Sequence, residues 1–482
     1  MTAVFVLPKR LWPAPELDPA APVRQLLPVL AIGLLGGLTL HVEAFGLATP
    51  VLGAAVLGLA LRQRGARPTR EQLVTAGGAL LLLGVAAVRS ADWLVTLCVM
   101  GAWGLATLAL VGGRTWTGVV LGSCAAGFVP RRALRWFLLP LRSMPLPFDA
   151  AKRVLVIGGL SGGLLLVFGL LFGAADPAYA HLLGDLVPSF QAPNVVQRLV
   201  LAGGTAAVAA AASYLAQRPP AVDAFAPAPA APVRTAEWLV PLALVDALFT
   251  SFVVVQLTVL FGDRSHVLRT TGLTYAEYAR HGFWQLLVVT GLTLVVIAGA
   301  ARYASRVTAR DRLLVRALLG TLCALSLVIV ASALHRMSLY QHEYGWTRLR
   351  LFVSAVELAL GAVFVLLLVA GIRLDGRHLP RAVVAIAAVT LLGLASMNPD
   401  AWIARHDVDR YRTTGQIDTT YLSNLSGDAV PELLTLPVSV RGCVLPAIAR
   451  RLGSLPASWY DDSWGRRRAR GLLATAGLGT CR

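Results

Sequence analysis

The chain is paced by apolar stretches, most close to the ~20 residues needed to cross a bilayer, with arginines gathered at their ends. That pacing restricts the fold more than any motif does. A helix satisfies its own backbone hydrogen bonds, which lipid cannot do for it. The expected fold is therefore all-α, a multi-pass transmembrane bundle with a small helical extramembrane domain at its C-terminus. Composition agrees. Of 482 residues, 56% are hydrophobic and only 14% charged, too few charges for a soluble surface of that size. The net charge of +18 raises the question of nucleic acid, but the basic residues sit mainly at span ends and form no basic-aromatic module. Their placement favours topology and contact with anionic headgroups, so membrane lipids are the expected partners and nucleic acid is not.

Eleven spans are expected: Val23–Leu40, Ala44–Leu61, Leu73–Val88, Trp93–Val111, Val154–Gly173, Val195–Ala216, Trp238–Phe261, Phe283–Ala301, Leu313–Leu334, Leu351–Ile372 and Ala382–Ser396. Thr115–Phe128 is short and Gly-rich and is expected to be interfacial or re-entrant. A full crossing there would put the basic cluster after it outside. With the N-terminus cytoplasmic, the inner segments hold about three times as many Lys and Arg as the short outer loops, as the positive-inside rule requires. The chain then divides into an N-terminal segment (1–22), a first membrane half of six spans (23–216), a Pro/Ala-rich linker (217–235), a second half of five spans (236–397) and an extracytoplasmic tail (398–482). The linker is expected to be stiff and extended, without a packed core. No removed signal peptide is expected, since Met1–Arg24 lacks the basic-apolar-cleavage pattern.

The stretch richest in candidate chemistry is His335–Glu357, which leaves one span through an aromatic turn and enters the next. Arg350, Ser354 and Glu357 fall at i, i+4 and i+7, one polar stripe on an apolar helix. An ionisable residue in a span is costly and marks a functional candidate. Glu357 and Asp246 are the two intramembrane carboxylates. Two readings compete for each: a structural bond to a neighbouring helix, or a proton- or ion-responsive group. His335, Arg336, Tyr344 and Trp346 complete the outer turn. In Gly272–Trp284, Thr274 and Glu277 have capping-box spacing, and Glu277 with Arg280 could face the same site as Tyr344–Arg350.

In the tail, Asn398-Pro399-Asp400 reads as a helix start, with further starts at Asp418, Asp428 and Thr435 and about four short helices in all. Cys443 and Cys481 could pair if the tail faces an oxidising compartment, or remain two separate thiols. Arg466–Arg470 is expected to be a solvated or headgroup-facing run. No pair of cysteines has zinc-site spacing, and no metal or cofactor is expected. No nucleophile elbow, HExxH or phosphate-cradling loop is present, so no catalytic residue is assigned.

Three stretches, GLTYAEYARHGFWQL (272–286), RMSLYQHEYGWTRLR (336–350) and the run from Asn398 to Leu436 beginning NPDAWIARHDVDRY, together resemble a family of bacterial polytopic membrane proteins known as a domain of unknown function. The resemblance covers about Trp238 to Leu436. It implies a bacterial cell-envelope protein of the inner membrane with a helical tail, and brings no substrate, cofactor or catalytic residue. Three functions remain open. The first is a non-enzymatic sensor, scaffold or assembly component binding a protein partner or envelope lipid through its outer loops and tail. The second is an ion- or proton-coupled transporter using Asp246 and Glu357. The third is an outer-leaflet enzyme on a lipid-linked substrate, with Glu277, Glu357 and Arg350 as its working groups.

Overall fold

The computed structural model describes residues 23–41, 44–143, 192–228, 233–261, 283–305, 307–373, 376–455 and 458–477, with the single positions Trp12, Ala21, Ser161, Phe168, Phe172, Gly479 and Cys481. Secondary structure among them is helical: α1 (Leu26–Thr39), α2 (Ala48–Arg62), α3 (Arg70–Val88), α4 (Asp92–Val111), α5 (Trp116–Phe128), α6 (Pro130–Ser143), α7 (Ala192–Gln217), α8 (Thr235–Phe261), α9 (Phe283–Tyr303), α10 (Ala309–Tyr344), α11 (Arg348–Arg373), α12 (Leu379–Met397), α13 (Pro399–Thr414), α14 (Thr419–Ser423), α15 (Val430–Leu433), α16 (Val438–Ser454) and α17 (Trp464–Thr475). Eight of these, α3, α4 and α7 to α12, are long and apolar enough to cross a membrane; α1, α2 and α5 are apolar but shorter. Several long apolar helices make this an integral membrane protein. The expected span at Val154–Gly173 lies outside the described residues apart from three single positions, and the Thr274–Glu277 capping box lies wholly outside them.

Local chemistry explains the helix boundaries. Thr69 and Thr308 each accept the N3 backbone N–H while Gln72 or Asp311 reaches back, giving α3 and α10 full capping boxes. Thr115 and Ser463 cap α5 and α17. Packing between α1 and α7 relies on small residues: a Cβ added at Gly33, Gly36 or Gly37 would come within 2.3–2.7 Å of Ala206, Thr205 or Ala202. Close backbone approach of this kind drives helix association where lipid supplies no hydrophobic difference.

The helix connections gather at two ends. One end holds the α2–α3, α4–α5 and α11–α12 turns and the linker: Arg381 of α12 bonds Glu71 and the Gly113 carbonyl (2.8 Å), and Arg302 of α9 bonds the Ala228 carbonyl at 2.9 Å. The α5 helix belongs to this end, since Gly122 packs on the Gly112 carbonyl. So does α6: the Ala21 N–H donates to the Trp136 carbonyl, and Trp136 meets Tyr214 edge-on at 5.7 Å, one turn before α7 stops. The linker differs from expectation. It carries a 3-10 turn, Val222–Phe225, with Val222 buried. The Asp223 carboxylate accepts from the Arg114 and Thr115 N–H groups (2.9 and 3.0 Å) and the Thr115 hydroxyl (2.8 Å). Those donors stand at the entry to α5, at and beside its N-cap Thr115, so the linker is docked rather than merely extended.

The tail sits at the opposite end, on the α1–α2, α3–α4 and α10–α11 turns. Its helices do not bury a core of their own. Leu422, Leu425, Val430, Leu433, Leu445 and Ile448 belong to one buried cluster with Leu94, Val95 and Cys98 of α4 and Leu82 of α3. Eighty-odd residues supply only a small core by themselves, and this tail enlarges it by sharing the membrane helices' core.

Candidate functional site

The junction between tail and membrane helices begins at Asn398. It adopts the left-handed conformation (φ 57°), ending α12 and turning the chain so that Pro399 opens α13. The helix start is as expected but the cap is not: Asn398 makes no side-chain cap bond, and its buried Oδ1 has no partner among the described residues. A left-handed Asn closes the helix before it, with its side chain turned from the helix after it.

Two residues on, Asp400 is completely buried. Its carboxylate accepts from Arg348 Nε (2.9 Å) and Nη2 (2.5 Å), from Trp93 Nε1 (3.2 Å) and from the Ser426 N–H (2.8 Å). Burial alone would lift this carboxyl, but the Arg348 fork and the Ser426 N–H outweigh it and hold Asp400 below the ordinary carboxylate range. One side chain thus ties α4, α11, α13 and the turn after α14. Two turns along α13, Asp407 accepts the Trp346 N–H at 2.8 Å, and Trp346 packs against Trp402 and His406. Arg410 donates to the Glu343 carbonyl (2.7 Å), and the Arg348 N–H to the Tyr421 hydroxyl (2.7 Å). Gly345, with φ 79°, lets the α10–α11 turn approach this closely; a Cβ there would stand 2.9 Å from Asp407 Oδ1. Asp407 has weaker compensation than Asp400. Burial pushes its pKa up to about 6, against the pull of the Trp346 N–H and of Arg410 and Arg350.

Three further contacts pin the tail to the first membrane half. Ser90 and Asp428 bond reciprocally, the Ser90 N–H to the carboxylate and the Asp428 N–H to the Ser90 hydroxyl, both at 2.8 Å. His41 Nδ1 lies 2.8 Å from Asp461. Arg466 donates through Nη2 to the Phe45 carbonyl. These findings correct several expectations. Asp428 bonds the α3–α4 turn rather than capping its own helix, and Thr435 bonds back to the Glu432 carbonyl (2.7 Å) while Pro437 precedes α16. Asp418 does cap α14, accepting the Tyr421 N–H at 2.8 Å. Of the run Arg466–Arg470, Arg467 and Arg468 are exposed, but Arg466 is buried and Arg470 bonds Asp462 and the Leu452 carbonyl. Cys443 and Cys481 are joined by a disulfide, with Cα atoms 4.5 Å apart.

Between these contacts lies a cavity of about 330 Å³. Asp92, Trp93, Arg348, Arg451, Arg466 and the Asn424–Gly427 turn line it. Arg451 is held by the Ser423 and Leu425 carbonyls (2.8 and 2.6 Å). Arg466 is 2% exposed, and its Nε and Nη1 have no hydrogen-bond partner among the described residues. Burial works against the Arg466 charge and Asp92 is its strongest opposing support. Chemically the cavity offers three guanidiniums against one unpaired carboxylate, with Arg348 already spent on Asp400.

The residues singled out from sequence fall into separate places. Arg350 turns back to the Tyr344 and Gly345 carbonyls and lies 4.2 Å over the Tyr340 ring. Ser354 accepts from Gln341 Nε2 at 3.3 Å. Glu357, one turn deeper, is fully buried with neither oxygen bonded among the described residues, so the stripe does not act as a unit. Among the described residues Asp246 is likewise buried without a partner for its carboxylate, and Thr250 bonds the Asp246 backbone carbonyl. The two carboxylates stand at different depths. Asp246 is within electrostatic reach of Cys323, while the α10–α11 contacts Gln341–Ser354 and Val330–Gly361 place Glu357 a dozen or so residues further along α10, roughly 18 Å at 1.5 Å per residue. His335 is exposed, whereas the neighbouring Arg336 is buried and donates to Gln256 at 2.7 Å. Tyr344 is exposed, and Trp346 is used at the junction. Glu277 and Arg280 lie outside the described residues. Sequence reasoning missed Arg348, Asp400 and Asp407, although all three lie in the resembling stretches; it followed Arg350 because of its spacing to Glu357.

Residues 76–436 match the model of a family described as a domain of unknown function, DUF4153. No curated protein and no solved structure matches the chain. The match spans the Asp400 network and all of the cavity's lining except the part contributed by α16, the residues just after it and Arg466.

Proposed function

We propose a function for this chain from its own geometry, since it belongs to the DUF4153 family, whose description names no activity. It is a non-enzymatic component of the cell envelope, a sensor or scaffold, that holds an anionic headgroup in the cavity under its tail. The observation carrying this reading is Arg466, buried at the cavity wall with Nε and Nη1 unspent. A buried cation with idle donors is costly unless a ligand supplies the acceptors, and a phosphate matches guanidinium geometry. The reading takes eleven spans, the N-terminus on the cytoplasmic side and the tail outside. The arginine-rich end supports that orientation: among the described residues outside the tail, Arg62, Arg64, Arg67, Arg70, Arg114, Arg218, Arg234, Arg302, Arg310, Arg312, Arg377 and Arg381 flank its turns, against Arg89, Arg198, Arg336, Arg348 and Arg350 at the other.

The test uses the full chain in phosphatidylcholine nanodiscs, with phosphatidylglycerol as the lipid probe and inorganic phosphate as the soluble one. Arg466→Gln should weaken binding by about tenfold or more, the loss of a charge-assisted bond, while Asp92→Asn should strengthen it. A purely structural Asp92 would not give that second sign. Equal binding by wild type and both variants would sink the proposal.

A second reading rests on a different observation. Asp246 and Glu357 are buried in spans with both carboxylates unpartnered among the described residues, which supports protonation coupled to transport. Proton uptake into proteoliposomes that persists unchanged in the Asp246→Asn, Glu357→Gln double variant would remove it.

A further inference from the structure

We infer that the arginine-rich end of the molecule carries a second, larger anion site, one that joins both halves of the chain. A cavity of about 810 Å³ lies between the α4–α5 turn, the end of α9, the linker and the α11–α12 turn. Its polar lining is Arg114, Arg302, Arg377, His378 and Arg381, with Glu71 as the carboxylate.

The charge balance is one-sided, and the acids are already engaged. Glu71 is paired with Arg381. Asp223, the next acid, spends its carboxylate on the Arg114 and Thr115 N–H groups and the Thr115 hydroxyl, and so sits at the wall as a cap for α5. Among the described residues, the guanidiniums of Arg114 and Arg302 therefore bring charge to the cavity that no lining carboxylate cancels. Arginines at a cytoplasmic span end ordinarily spread into headgroups as separate topological signals. Here they come from segments far apart in sequence and converge on one concavity. Two are anchored by backbone carbonyls, Arg381 on Gly113 and Arg302 on Ala228, which orients the planar forks instead of leaving them to the solvent.

The chemistry that fits is a paired phosphate, since several guanidinium forks match several phosphate oxygens. A lipid headgroup carrying two phosphates and a soluble pyrophosphate share it. Either would bridge Arg114 and the docked linker of the first membrane half to Arg302 and Arg377 of the second. The ligand would then set how firmly the halves are held together.

The experiment uses the full chain in phosphatidylcholine nanodiscs, read by native mass spectrometry and by thermal stability. Cardiolipin in the nanodisc and free sodium pyrophosphate are the two probes. The wild type should bind at least one of them and gain Tm, and the Arg114→Gln, Arg302→Gln double variant should bind about tenfold or more weakly, a loss of roughly 1.4 kcal/mol or more. Both residues are exposed, and the Tm without ligand checks that the variant folds. Cardiolipin binding that depends on the two arginines identifies a headgroup, and pyrophosphate binding that does so identifies a soluble ligand. Arg467→Gln and Arg466→Gln, at the opposite end, should leave this binding intact, so failure here and failure of the cavity under the tail are read separately. Equal binding of both probes by wild type and double variant overturns the inference, as does an equal loss from Arg467→Gln.

Discussion

At the level of single residues the junction depends on how two aspartates are compensated. Asp400 is fully buried and meets a bidentate guanidinium; Asp407 meets chiefly one backbone N–H. Removing one partner of a buried pair leaves the other charge stranded, at a cost of about 3–5 kcal/mol. Arg348→Met should therefore lower Tm sharply. Arg348→Met combined with Asp400→Leu should recover part of the loss, and thermal unfolding in detergent with a double-mutant cycle would measure the coupling; additive losses would refute it. Asp407 gives the opposite kind of prediction. Its folded pKa, about 6, stands above the ordinary 3.8, so the native state keeps a proton that the unfolded chain releases. That contribution is full below about pH 4 and is lost as pH rises through 6. Asp407→Asn keeps an acceptor for the Trp346 N–H and carries no charge. It should match wild type near pH 4 and be more stable by a few degrees at pH 8. Parallel stability curves for the two proteins between those limits would rule this out. Neither role was legible in the sequence. Asp400 read only as part of the helix start at Asn398 and Asp407 drew no reading, because burial of a helix face by a partner remote in sequence leaves no periodic mark.

Among the elements, the helices were legible and their uses were not. Hydropathy placed α3, α4, α7 to α9, α11 and α12 within a few residues of their limits, because each must span a slab of fixed thickness, whereas α10 runs ten residues past the expected end at Leu334, to Tyr344. The two N-terminal helices came out shorter than expected, and the tail rests on the described residues between them: the Ala48 N–H donates to the Tyr460 carbonyl, and Gly46 packs against Asp461. The linker shows the same limit. Its prolines and alanines read as a spacer, and one aspartate among them, Asp223, makes it a docked strap. Asp223→Ala should release that strap. Limited proteolysis is expected to cut between 217 and 235 several times faster in the variant than in wild type, with the membrane helices intact. Unchanged cleavage would mean that Val222 burial alone holds the segment.

For the whole molecule, the decisive feature is that tail and membrane helices share one buried cluster. The Cys443–Cys481 bridge closes a 38-residue separation within that tail. Bridges over loops of this size contribute about 3–4 kcal/mol, so Cys443→Ser should lower the Tm of the oxidised protein. If the tail is extracytoplasmic, an impermeant maleimide should label the reduced pair from outside intact cells, and labelling only after lysis would reverse the orientation. Truncation is the stronger test of integration. A tail that merely hangs from the last span could be cut after Met397 and leave the bundle standing. Here the cut removes Asp400 from Arg348 and Trp93, Asp428 from Ser90 and Asp461 from His41. It also bares Leu94 and Val95 of α4, both buried in the cluster shared with the tail. Apart from that at Arg348, those losses fall on the first membrane half, which is remote from the cut in sequence. The truncated chain should therefore aggregate or run as a broad species in size-exclusion chromatography, and its α3–α4 turn should lose protection in hydrogen exchange. A sharp, monodisperse truncated protein with near wild-type Tm would show instead that the bundle is self-sufficient, and that the tail is an appended module whose contacts add little. The shared core argues for the first outcome, because stranded polar groups and exposed apolar surface act there together.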